Sequence, residues 1–507
     1  MNIIADLGEF TSQNKNIDEL KSLVKTKPEY NSIYPESLHE LNGSILFLIK
    51  TKLGKELIVT GSDSSIFNEL EGEIHSEKGI GFKNCPLSVA NSKVIQKYFP
   101  FTNPVSLGDY DVTIGLGDRL GLASVGHLKL MKGLKARPVL AQQSIRELNF
   151  TGRNYSEVLA DVVWAVFQEN YQGGFGADGD HLKTFDDIKM ALNNGFTMIT
   201  LDCSEHIHNL QNEEQAEIDK IYLTYEPNLR QYLETWFLGK EFKIAGMNLF
   251  FTPEQFRLNV VIYQKAIDFA IKVYNELIRP YGNIDFEISI DETATPTHPL
   301  AHFFVAKQLT EAGVKINSLA PRFCGEFQKG IDYVGDLNKF KQEYIEHEQI
   351  ADYFRYKLSI HSGSDKFRVF PIIGHESKRF HLKTAGTNWL EAVRVVIEKE
   401  PILYRDIHTY ALKHLEEAKK YYHISADPNK IPNVYKLSDS ELKDLMDLND
   451  ARQVIHITYG LILQAKDEKG NYLFKNKIFN CLHKNEDLYA HFLQKHIGNH
   501  LKKLGFF

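Results

Sequence analysis

Cysteine is scarce in this chain. There are four in 507 residues, at Cys85, Cys203, Cys324 and Cys481. They are widely scattered and form no CxxC pair, which excludes a disulfide-stapled scaffold and argues against a structural zinc site. A reducing cytosol is the compartment this usage fits, so a cytoplasmic protein is expected. Long apolar runs are missing as well. The stretch Ile45-Leu46-Phe47-Leu48-Ile49 falls far short of the ~20 residues that span a bilayer. The start, MNIIADLGEF, lacks the basic-then-apolar pattern of a signal peptide. No basic excess exists either: Lys+Arg is 59, Asp+Glu is 66, and the net charge is −7. That argues against nucleic acid as a partner. A small anionic ligand stays open, because a few local cations can dominate one cleft. Neither a GxxxxGK[ST] loop nor a GxSxG elbow occurs, so ATP chemistry and acyl transfer on a serine have little support.

What is present is the composition of a folded protein, 43% hydrophobic and 25% charged. Residues 1–105 read as an N-terminal extension. Its segment 44–62 (SILFLIKTKLGKELIVTGS) is two β-rich runs around a turn, which predicts a hairpin. From about residue 111, short apolar runs alternate with helical stretches. The candidate strands are 111–115, 137–143, 174–178, 196–202, 284–291, 314–320, 357–362 and 380–385. Helical spacing marks 155–169, 184–194, 253–279 and 298–313 between them. Eight β-then-α units predict an α/β fold, a (β/α)8 TIM-type barrel over 106–400 with a helical insert at about 203–252. Residues 401–507, opening with a helix over 403–423, read as a helix-rich C-terminal extension. An open doubly wound sheet is the competitor. However, the glycines after the first strand, Gly115, Gly117 and Gly121, are spaced GxGxxxG, and the acidic residue expected ~20 positions later is missing. No cofactor-binding dinucleotide fingerprint is therefore assigned.

Buried barrel strands should be almost purely apolar, yet several end in polar clusters, where barrels build their active sites. The third strand leads into Asp178-Gly179-Asp180-His181, in which Asp180 and His181 can divide the roles of proton acceptor and metal ligand. In the fifth, period two puts Glu287, Ser289 and Asp291 on one face and Phe286, Ile288 and Ile290 on the other. The apolar face must cover the helices, so the carboxylates point inward and need a cation or a shared proton. His361 and His381 stand on the last two strands, followed by Lys366 and Lys383 respectively. The sixth strand leads into Arg322, Glu326 and Gln328. Asp202, Glu205, His206 and His208 close the fourth. His, carboxylate and amide groups in one barrel mouth suit a divalent metal holding a polar substrate.

The phrases GADGDHLKT, EISIDETATPTHPLAHFF, LAPRFCGEFQKGIDYVGD, YKLSIHSGSDKF and FHLKTAGTNWLEA together resemble the tagaturonate epimerase family, over about residues 105–430. The resemblance implies a metal-dependent isomerase that interconverts D-tagaturonate and D-fructuronate and in some members acts on tagatose and fructose. It implies Asp180 as proton acceptor, Glu287 as proton donor (with Asp291 and Glu292 as alternatives), and His181 and His361 as metal ligands. The third ligand falls on Gln328, with Glu326 as the alternative. The metal is left open among Zn, Mn, Co, Ni and Fe. For the substrate carboxylate the candidates are Arg322, Lys366 and Lys383, with Arg119 behind them, and His381 is grouped with the substrate contacts. Any of these cations can instead neutralise the buried acids. The expected partner is a small sugar acid or ketohexose, and an oligomer is possible. The competing readings are a metal-dependent sugar isomerase or class II aldolase, and a barrel that only senses sugar acids.

Overall fold

The computed structural model describes residues 16–507 apart from 53, 62–63, 78, 211–213, 385 and 387. Parts of the expected hairpin and of the eighth strand thus lie outside the described residues. An antiparallel sheet comes first: β1 (His39–Leu41), β2 (Ser44–Lys50), β3 (Lys55–Thr60), β4 (Glu73–Glu77) and β5 (Ile80–Pro86), in the order β1-β2-β3-β5-β4. The expected hairpin is β2–β3, with Leu46 opposite Val59 and Leu48 opposite Leu57.

Eight parallel strands then close into a barrel: β6 (Val112–Gly115), β7 (Arg137–Gln143), β8 (Gly176–Leu182), β9 (Met198–Asp202), β12 (Asp285–Ile290), β13 (Ser318–Pro321), β14 (Lys357–Ile360) and β15 (Phe380–Lys383). The pairing of β15 with β6 completes the ring. The fold is the TIM barrel that the β-then-α rhythm predicts. Its helices start where local chemistry says they should. Asn154 caps Tyr155–Glu169, and Thr252 caps Pro253–Val273, both through capping boxes. Phe286, Ile288 and Ile290 turn outward into the helix-packed core, while Glu287 and Ser289 are buried inside the barrel.

Several segments depart from the sequence reading, three of them in ways that matter here. The third strand runs Gly176–Leu182 rather than 174–178, so Asp178 and Asp180 lie within it. The insert is half β: after helices Gln215–Leu223 and Pro227–Phe237 comes a hairpin, β10 (Glu241–Ile244) with β11 (Met247–Phe250). Its two-residue turn, Ala245-Gly246, has φ of 44° and 93°, the left-handed pair that such hairpins need. The helix expected over 403–423 breaks at His414, between Pro401–Lys413 and Leu415–Ala418. The His414 ring bonds the Tyr410 carbonyl at 2.8 Å, a local alternative to the helical ladder.

The C-terminal helices build a second core around Trp389, Val393, Tyr404, Ile455 and Tyr489, using barrel helix Asn388–Lys399 as shared wall. The last helix, Glu486–Lys503, lies against Ser124–Met131 at Gly126. A methyl group there would come 2.9 Å from the Leu493 side chain. No helix among the described residues is long and apolar enough to cross a membrane.

Candidate active site

The carboxyl ends of the barrel strands open into a cavity of about 260 Å³ lined by Asp180, His181, Asp291, Gln328, His361 and Lys383, among others. Regular alternation would send the adjacent Asp180 and His181 to opposite faces of β8. Instead, His181 has φ of 52°, and the β8–β9 register shifts between Gly179 and Leu182. This irregularity breaks the alternation, so both side chains line the cavity.

Below the cavity lies a network of buried charge. Lys383 Nζ donates to Asp180 Oδ1 at 2.6 Å and to Asp178 Oδ2 at 3.0 Å, and stands 2.9 Å from Glu287 Oε1. Its partners raise the Lys383 ammonium well above its ordinary value despite burial. Glu287 sits between two hydroxyls at its own level of the sheet. The Ser318 Oγ donates to Oε2 at 2.5 Å, and the Thr200 Oγ1 lies 3.2 Å from Oε1. Its Oε1 also meets His361 Nε2 at 2.8 Å. Burial pushes Glu287 up, but Lys383 and His361 outweigh it and hold the carboxyl well below the usual range. Asp180 behaves alike, because His181 Nδ1 at 2.8 Å and Lys383 override burial. Asp178 goes the other way: burial wins over Lys383 and raises it.

His361 is held between two carboxylates, with Nδ1 3.1 Å from Asp291 Oδ2. Burial alone would depress it, yet the flanking acids, Asp291 foremost, push its pKa up to about 10. Its ring centroid is 4.7 Å from that of His181. His181, Asp291 and His361 each bring one ligand atom within 4.8 Å of the others. Two imidazoles and a carboxylate suit a borderline divalent ion.

Other candidates are placed differently. The Gln328 Oε1, the atom an amide would offer a metal, accepts from Ser425 N and Gln453 Nε2, both at 2.9 Å. In this structure Gln328 ties its loop to the C-terminal layer, and its amide donates to Glu326. Asp291 is the carboxylate whose oxygen groups with the two histidine nitrogens. Lys366, expected near the substrate, donates to the carbonyls of Gln328, Ile331 and Ser364 at 2.8, 2.6 and 2.9 Å. Lys383 is spent on the buried acids. His381 bonds Thr113 Oγ1 at 2.8 Å inside the barrel, and burial takes its pKa down to about 3. Arg322 donates to the Thr293 carbonyl and lines a neighbouring cavity shared with Asp291, Gln328 and His361. Glu292 is exposed at the rim. His206 stacks on Phe269 at 4.1 Å, and His208 is exposed.

Sequence reasoning gave no role to Asp178, Thr200 and Ser318. Asp178 and Thr200 alternate with Asp180 and Asp202, a period-two signal that was there to find.

Similarity settles the family. The sequence model described as tagaturonate epimerase (UxaE) matches residues 34–504. The chain belongs to the tagaturonate epimerase family. The chain is 40% identical over 479 residues to the tagaturonate/fructuronate epimerase of Thermotoga maritima, covering 93% of this chain and 96% of that one. The native crystal structure of fructuronate-tagaturonate epimerase UxaE from Cohnella laeviribosi is 48% identical, with TM-score 0.90 over 93% of this chain and 96% of the other. Its form with two glycerols gives TM-score 0.91 at 48% identity, over 94% and 97%. The protein is an enzyme of the epimerase class, and its barrel and both flanking layers fall within the matched family region.

Proposed function

We propose that the chain interconverts D-tagaturonate and D-fructuronate with a divalent cation held by His181, Asp291 and His361, by breaking and re-forming one carbon–carbon bond. The family and the activity in its relatives' names support the substrate. One observation inside the site carries the mechanism: Lys383 joins Asp180 and Glu287 at 2.6 and 2.9 Å, and each of these acids also contacts an imidazole of the proposed metal site.

The two uronates differ at the carbinol β to the ketone. That C–H is not acidified by the carbonyl, so enolisation alone cannot invert it. Taking the proton from the β-hydroxyl lets the α–β bond break. Its electron pair moves to the ketone side as the enediolate of dihydroxyacetone, and the β-carbon becomes the aldehyde of 2-hydroxy-3-oxopropanoate, which keeps the carboxylate. Turning the aldehyde and re-forming the bond on its other face completes the inversion. A bound divalent cation supplies electrophilic stabilisation to the ketone side. Asp180, ionised at neutral pH, accepts the hydroxyl proton. Glu287, the expected proton donor, is held toward its ionised form by Lys383 and His361, so the proton it would deliver comes through Lys383. Lys383, already a full ammonium, first gives a proton on the Glu287 side to the alkoxide formed as the bond re-forms, and then takes the hydroxyl proton held by Asp180. No net proton is gained or lost.

The test compares metal-free and metal-reconstituted protein on D-tagaturonate, D-tagatose and D-fructose, with products separated by chromatography. Fructuronate from the reconstituted sample alone is expected. An aldose product would mean an isomerase, accumulated fragments an aldolase, and no turnover in the loaded protein a binding barrel.

A further inference from the structure

We propose that Arg119, Lys329 and His456 form the subsite that takes the carboxylate of the substrate, and that the C-terminal helical layer thereby completes the active site. The identity of the ligand rests on the function proposed above; the anion preference rests on the following geometry. All three residues line the same cavity as Asp180, His181 and His361. They come from the loop after β6, the segment after β13, and helix Asn449–Ile457 of the C-terminal layer.

Each has hydrogen-bonding capacity to spare. Arg119 is 3% exposed, and its Nε and Nη2 donate to Glu147 Oε1 at 3.2 and 3.0 Å. Its guanidinium lies 3.8 Å from the Tyr459 ring centroid. Its Nη1 is buried with no partner. His456 is 1% exposed, and neither ring nitrogen has a partner. Burial, then the fields of Arg119, Lys329, Arg452 and Lys366, hold its pKa well below the ordinary value. The neutral ring therefore has one donor and one acceptor unspent. Lys329 Nζ meets Ser362 Oγ at 3.0 Å, and an ammonium has two further protons. Buried donors without acceptors are costly, and an anion in this part of the cavity would satisfy them.

Arg146 also lines this cavity but is exposed, its guanidinium 5.1 Å from the Tyr422 ring centroid, while three buried cations nearby are committed. Lys366 is bonded to three carbonyls, Lys383 to the barrel acids, and Arg452 to two carbonyls and Asp365. Gly386 makes room for the group. A methyl there would lie 2.6 Å from His456 Nε2 and 3.4 Å from Arg119 Nη2, so these side chains are neighbours across the glycine. A planar guanidinium edge, an ammonium and an imidazole N–H suit a carboxylate. The carboxylate also belongs on the fragment whose aldehyde must turn. Anchoring it there keeps the fragment in place while the neighbouring carbon presents its other face.

The test is calorimetric titration of the full-length protein with D-gluconate and with D-glucitol, which differ in a carboxylate against a hydroxymethyl group. It is run beside a D-tagaturonate turnover assay. Wild type is expected to bind gluconate at least about tenfold tighter than glucitol. Arg119→Met, Lys329→Met and His456→Asn should each shrink that ratio while leaving glucitol binding within about twofold. Arg119 also supports Glu147 and Tyr459, so Lys329→Met, with thermal melting as control, carries the test if Arg119→Met fails to fold. A wild-type ratio near one, or a Lys329→Met variant that weakens both ligands equally, overturns the subsite. Turnover with such a ratio leaves the epimerase reading standing without it. A carboxylate preference lost in the variants, with no conversion of tagaturonate, upholds the subsite and removes the epimerase reading.

Discussion

Lys383 reaches Asp180 at 2.6 Å from a strand three places away around the barrel. It stands three places from Glu287 in the other direction, so a single ammonium holds acids on both sides. Placing charge at the closed centre of a barrel costs desolvation that mutual attraction must offset. Lys383→Met leaves Asp178, Asp180 and Glu287 facing one another. Loss of one partner from a buried network typically costs about 3–5 kcal/mol. Urea unfolding should show a loss of that order, with turnover falling below detection. Lys383→Arg should not restore activity, because a planar fork cannot replace a compact ammonium. Adding Asp178→Asn to Lys383→Met should recover part of the stability but no activity, since Asp178 is the acid whose burial already favours its neutral form.

Bond cleavage and transient oxidation make opposite statements about the hydrogen on the inverted carbon. In cleavage that hydrogen stays on its carbon throughout. Substrate deuterated there should turn over with no primary isotope effect and keep all its deuterium. Borohydride added during turnover should trap the aldehyde fragment. A primary isotope effect, or a nicotinamide copurifying with the protein, would contradict the cleavage mechanism.

The proposed metal ligands differ from the nearby Gln328 in what their loss should do. Asp291→Asn and His181→Ala should lower bound metal well below the wild-type stoichiometry, read by elemental analysis after gel filtration. Gln328→Leu should leave the metal content unchanged. Because the Gln328 oxygen accepts from Ser425 and Gln453, that variant should loosen the C-terminal layer and speed its limited proteolysis. Metal loss from Gln328→Leu with retention in Asp291→Asn would reverse the assignment.

Sequence patterns carried the scaffold further than the site. Eight strands and their helices follow from period and punctuation, as does the inward face of Glu287, Ser289 and Asp291. Asp180 and His181 share one cavity only because β8 is irregular, and alternation alone would have separated them. Gln328 and Lys366 were singled out by residue type and motif, which say nothing of the partners each finds in the fold. Their hydrogen bonds are spent on backbone and on a distant layer, which is tertiary information. His456 is hidden for the same reason. It sits in an amphipathic C-terminal helix with Val454 and Ile457, and only packing brings its ring to the barrel mouth.

Glu391 gives a pH dependence separate from the chemistry. It lies on the barrel helix that the C-terminal core shares, 4% exposed. Burial, opposed by Arg394 and Arg452, raises its pKa from 4.5 to about 7. The folded protein therefore holds this proton more tightly than the unfolded chain does. Below about pH 4.5 both states carry the proton and the group is neutral to stability. As pH climbs from there to about 7, the unfolded chain releases the proton first, and stability falls. The cost of ionising Glu391 in place is on the order of 1–3 kcal/mol above that window. Glu391→Gln keeps the neutral shape and cannot ionise. The urea midpoint of wild type relative to this variant should therefore decline between pH 5 and pH 8. Parallel profiles would show that Glu391 ionises as easily in the fold as outside it, and a wild-type midpoint that rises relative to Glu391→Gln would reverse the sign.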